Sequence, residues 1–196
     1  MLIAAVVTEN EGHAILLATQ QMRRLFLNAG ARESEIDCRL TDSLQFEDDR
    51  QPDICIVSLL REVESDALDR VRARLTDELR KFAGGRTAVY LCTIFRVCDD
   101  AAALERIRRL NLLAAELSHD LDIGVIDFDR QFADIGARTL ETSYRLEGGG
   151  AREIAAYTVV KTLLASGAFE DRIDDATIEQ ARAAHASTYQ ANAVAS

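Results

Sequence analysis

"LIAAVVTENEGHAILLATQQMRRLFLNAG", residues 2–30, is the stretch that decides the fold. Its first six residues, Leu2 to Val7, are apolar without alternation, which is the pattern of a strand covered on both faces. The polar segment "TENEG" follows. Ile15, Leu16, Thr19, Met22, Leu25 and Phe26 then recur at helical spacing, and Asn28 with Gly30 supplies a stop. A buried strand running through a short loop into an amphipathic helix is one unit of a parallel α/β sheet.

The unit recurs along the chain. "EIDCRL" (35–40) reads as a weaker strand, and "DICIVSLL" (53–60), entered through the only proline, Pro52, as a strong one. Leu68, Val71, Leu75, Leu79 and Phe82 mark a helix that stops at Gly84 and Gly85. "TAVYLCTIF" (87–95) is a further strand, and Leu104, Ile107, Leu110, Leu113, Ala114 and Leu117 mark the next helix. "DIGVIDF" (122–128) closes the series. Strands alternating with crossover helices predict a three-layer α/β/α sandwich on a five-stranded parallel sheet, with the flavodoxin-like order 2-1-3-4-5. In such sheets ligands sit beyond the carboxyl ends of the strands, where strand order reverses. That places a crevice at "TENEGH" and "SLLREVES".

The pattern changes after Ala168. Residues 1–168 read as the α/β domain and 169–196 as a helical tail, in which Ile178, Ala181 and Ala184 form a thin stripe over about 174–188. Asp174 is placed to cap that helix, with Ile173 and Ile178 as a hydrophobic staple. An alanine-rich stripe buries little area, so the tail is expected to pack against its own domain or against a second chain, with a homodimer as one outcome.

With 23 basic and 33 acidic residues the net charge is −10, which disfavours nucleic acid and anionic membrane surfaces as partners. No apolar run is long enough to cross a membrane, and "MLIAAVVTEN" lacks the basic flank of a secretory signal, so a cytoplasmic setting is expected. Cys38, Cys55, Cys92 and Cys98 lack paired spacing and read as reduced, mostly buried thiols. The chain shows no cofactor motif, and no glycine-rich phosphate turn follows the first strand.

Two segments in the second half, "LERIRRLNLLAAELSHDLDIGVIDFDRQFAD" (104–134) and "YRLEGGGAREIAAYTVVKTL" (144–163), resemble the SGNH, or GDSL-like, hydrolase superfamily. Asn111, Asp127, Gly150 and Ala155 fall where that pattern places an asparagine, a strand-end aspartate, and the glycine and alanine of the last helix. The resemblance implies the fold already read from the elements. It also implies that the catalytic stations are altered. Arg145 stands where the family's histidine would be and Thr142 where its aspartate partner would be. The first strand runs into Thr8, Glu9 and Asn10 instead of Gly-Asp-Ser, and "LLREV" replaces the Gly-x-Asn-Asp motif. Arginine keeps its proton and cannot act as a general base.

The remaining site candidates lie around the expected crevice. His13, Asn10 and Ser143 are the catalytic candidates: His13 as base, oriented by Glu9 or Glu11, and Asn10 or the "GGG" amides as oxyanion donors. Thr8, Glu9, Asn10, His13, Ser58, Arg61, Arg145, Gly148 and Gly149 are the ligand-binding candidates, with Arg61, Arg96 and Arg145 suited to a carboxylate or phosphate. The glycines either bring backbone amides close to a ligand or form a loose connection. Paired arginines on the surface account for the cations equally well. His119, at a helix end, and His185, in the tail, read as uninvolved, and Asp129 as the cap of a helix starting at Arg130, leaving no metal site. Two functions remain: a binding or accessory protein for a small-molecule or protein partner in a biosynthetic or cell-envelope pathway, or an esterase or acyl-transfer enzyme with rebuilt residues.

Overall fold

The computed structural model describes residues 1–31, 36–46, 51–65, 67–82, 85–135 and 142–194, with 188–194 described by their backbone alone. Its elements are β1 (Leu2–Val6), α1 (Glu9–Asn28), β2 (Asp37–Thr41), β3 (Ile54–Ser58), α2 (Leu68–Leu79), β4 (Ala88–Cys92), α3 (Ala101–Leu121), β5 (Gly124–Ile126), α4 (Phe128–Ile135), α5 (Gly149–Ala165) and α6 (Asp175–Val194). The five strands form one all-parallel sheet in the order β2-β1-β3-β4-β5, as the alternation of elements predicts.

Side chains alternate across that sheet. Ile3, Ala5, Ile54, Ile56, Tyr90 and Cys92 enter one core with α1, α4, α5 and α6, while Val6, Cys55, Val57, Val89 and Leu91 enter the other with α2 and α3. Burial on both faces is why these strands read as unbroken apolar runs. Gly124 opens the short β5 because a Cβ there would lie 2.3 Å from the Tyr90 ring.

One expectation needs correction. The first helix starts at Glu9 rather than near Ile15, because the Thr8 N–H donates to Glu11 Oε2 at 2.9 Å and ends the strand-to-helix loop in a capping box. In the last helix of the domain, α5, Ala155, Ala156, Val159, Val160, Leu163 and Leu164 are all buried, since it lies among α1, α4, α6 and the sheet. His185, in the tail, is a buried structural residue. It is 7% exposed, its ring stacks on Tyr157 with centroids 4.4 Å apart, and its Nε2 lies 3.2 Å from the Tyr157 carbonyl oxygen.

The tail packs on α1 and α5 through Ile178 and Ala181, and Asp174 Oδ1 accepts from the Thr177 N–H at 3.0 Å at its start. Phe169 meets Phe26 edge to face at 5.0 Å. The expected stop of α2 at Gly84 lies outside the described residues. No described helix is long and apolar enough to cross a membrane.

Candidate functional site

The carboxyl ends of β1 and β3 meet over a buried carboxyl group. Glu11 is 2% exposed; Ser58 Oγ donates to its Oε1 at 2.6 Å, and the Thr8 hydroxyl donates to Oε2 at 2.8 Å. Burial pushes the Glu11 carboxyl above its ordinary range despite the donations from Ser58 and Thr8. The Ser58 oxygen in turn accepts from the Leu60 N–H at 2.9 Å. Thr8, Glu11 and Ser58 thus lock strand end to helix start. Each hydroxyl is engaged within the protein.

The late loop closes over this cluster from the other side. Asn10 Nδ2 donates to the Arg145 carbonyl at 3.0 Å, which joins the start of α1 to residues 143–147. Within the loop the Arg145 N–H donates to Ser143 Oγ at 3.2 Å, and Ser143 Oγ donates to Glu147 Oε2 at 2.9 Å. The Tyr144 N–H reaches the Val97 carbonyl. Leu146, 2% exposed, has a φ of 56°.

The candidates of the first half distribute as follows. His13 lies on α1 and is exposed, so it is neither on a loop nor oriented by Glu11, whose oxygens serve Thr8 and Ser58. The helix begins earlier than its apolar stripe indicates, and that turn carries His13 outward. Glu9 is the exposed first residue of α1. Arg61 donates to the carbonyl and carboxylate of Asp42 at 3.0 and 2.8 Å. Gly148 caps α5 with a φ of 89° and no side-chain cap, and Gly149 is exposed with nothing near its missing Cβ.

At the ends of β4 and β5, Asp127 rather than Asp129 caps α4, because its Oδ1 accepts from the Arg130 N–H at 3.1 Å and from Thr93 Oγ1 at 2.9 Å. Asp129 sits inside the first turn and pairs with Arg96 Nε at 2.7 Å. Asn111 holds the backbone of Ile94 through both its amide atoms. Among the described residues no three side chains of metal-ligating type cluster.

Two concavities flank the locked cluster. One, of about 140 Å³, is lined by Val57, Ser58, Arg61 and Arg74. The other, of about 590 Å³, opens between Val63, Glu64, Ser65 and Ala67, the start of α3 and Tyr144 with Arg145. Only the larger has the volume of an ordinary small-molecule site.

No family model and no curated protein matches the chain. Among solved structures it is similar to the crystal structure of an acetyl xylan esterase, with a TM-score of 0.62 and 13% identity over 81% of this chain and 98% of that one. The likeness is one of fold. It gives the chain a hydrolase-like scaffold.

Residue-by-residue reading missed Glu11, which it treated only as a partner for His13. Thr8 and Glu11 form the Thr-x-x-Glu capping signature, which identifies the helix start directly. It also passed over Tyr144, Glu64 and Arg106, for which no local signal exists, since their proximity is created by the meeting of three separate segments.

Proposed function

We propose that this chain is an SGNH-hydrolase-like protein whose catalytic stations have been given over to structure, and that it binds a ligand or partner without hydrolysing esters. Its place would be that of an accessory protein in a biosynthetic or cell-envelope pathway. The observation that carries the reading is that, among the described residues, no histidine stands at the strand ends. Arg145 occupies the late loop, and the described histidines lie elsewhere: His13 outward on α1, His119 exposed near the end of α3, and His185 on the buried face of α6. Without an imidazole beside it, and with the Ser58 and Thr8 hydroxyls both tied to the buried Glu11, a hydroxyl here stays a weak nucleophile.

The alternative, a rebuilt esterase with His13 as base and Asn10 as oxyanion donor, has less support. His13 faces outward, and the Asn10 amide is committed to the Arg145 carbonyl. Short-chain aryl esters test the choice. The expected outcome is no turnover above the buffer rate and no labelling by a fluorophosphonate probe; turnover that the probe blocks would overturn it.

The tail, residues 169–196, is proposed to contribute to a homodimer or heteromeric contact; Ile178 and Ala181 pack on α1 and α5, so the support is the exposed small-residue face of Ala183, Ala184 and Ala186. Light scattering of a chain truncated after Ala168 is expected to report a smaller assembly than the full chain forms. An unchanged assembly state would discard this part of the reading.

A further inference from the structure

The cleft of about 590 Å³ faces the most heavily braced side chain of the late loop. The Arg145 carbonyl is held by Asn10, its N–H by Ser143, and the residue after it, Leu146, is a buried leucine in the left-handed region, a conformation that costs an L-residue energy. The half-exposed side chain makes two contacts as well. Nε donates to the Tyr144 hydroxyl at 3.1 Å and Nη2 to Glu64 Oε1 at 2.6 Å, whereas Nη1 has no partner among the described residues. Because the Tyr144 oxygen accepts from Arg145, its own proton is left to donate.

The opposite wall offers little for an anion. Asp100 Oδ1 already takes the Ala102 and Ala103 amides at the start of α3, and Arg106 gives Nε and Nη2 to the Glu62 carbonyl. The charged contact therefore falls to Arg145 Nη1 and the Tyr144 hydroxyl. Glu64, which offsets part of the Arg145 charge, and Asp100 share the rim, so they oppose a ligand with two negative charges more strongly than one with a single charge. Val63, Ala67, Ala102 and Ala103 add small apolar surface beside the Tyr144 ring.

We propose that this cleft binds an organic monocarboxylate with a compact apolar or aromatic body, the carboxylate meeting Arg145 Nη1 and the Tyr144 hydroxyl. The inference rests on reading the late loop as a binding element. A charged hydrogen bond of this kind accounts for about tenfold or more in affinity. Calorimetric titration of the full chain with benzoate, benzyl alcohol and inorganic phosphate tests it. Benzoate is expected to bind at least tenfold more tightly than either of the others. Arg145→Gln should weaken benzoate at least tenfold, and Tyr144→Phe, which keeps the ring and the fold, several-fold. Equal binding of benzoate and benzyl alcohol, tighter binding of phosphate, no benzoate binding, or benzoate binding untouched by Tyr144→Phe would each overturn the proposal. Aryl-ester turnover would instead remove the non-hydrolytic reading and leave the titration result standing, so the two failures are distinct.

Discussion

Glu11 sets the pH response at the scale of single residues. Its carboxyl is held above the ordinary range by burial, so the folded chain binds that proton more tightly than the unfolded chain does. The stabilisation this provides is complete below the ordinary carboxylate value and is lost as pH rises through the raised one. Glu11→Gln keeps a side chain of the same shape between Thr8 and Ser58 and removes the ionisation. Urea unfolding at pH 5 and pH 8 should therefore show a smaller drop in stability with rising pH for Glu11→Gln than for the natural chain. Glu11→Ala should lose about 2 kcal/mol at pH 5, because Ser58 and Thr8 are left without their acceptor in a buried site, and less at pH 8, where the natural chain has itself lost the contribution of the Glu11 proton. The residue types here were legible, but the burial was not. In sequence, Glu11 belongs to a polar loop, and only the closeness of β3 puts Ser58 over it.

Among the elements, α6 buries two polar side chains beside Ile178 and Ala181: Thr177, bonded to Asp174 at the helix start, and His185. Burial, with Lys161 of α5 nearby, lowers the affinity of His185 for a proton, while its contact with the Tyr157 carbonyl acts the other way. A depressed imidazole contributes stability that is fully present above its ordinary value of about 6.5 and lost as pH falls through the lowered one. Thermal melting between pH 7.5 and pH 5 should show a loss in the natural chain that is smaller in His185→Phe, which preserves stacking on Tyr157. An equal loss in both would place the acid sensitivity elsewhere. The helix itself was evident from Asp174, Ile173 and Ile178. Its surface partner was not, because an alanine stripe packs as readily on a second chain as on α1 and α5.

For the molecule as a whole, the two cores lie on opposite faces of one sheet and share every central strand. Neither face can lose its helices without exposing apolar side chains of β1, β3 and β4. Unfolding in urea followed by far-ultraviolet circular dichroism and by tyrosine fluorescence should give coincident single transitions. Separate midpoints would mean that the α2–α3 face and the α1–α5 face fold independently. The parallel order of this sheet followed from the sequence, because unbroken apolar strands spaced by long helices admit few right-handed arrangements. Tertiary structure alone decided which polar groups are engaged. Asn10 and Arg145 are 135 positions apart, and Glu11 and Ser58 are 47 apart. Hydrogen bonds over such separations depend on where the sheet brings the strand ends together, and local sequence carries no record of that distance.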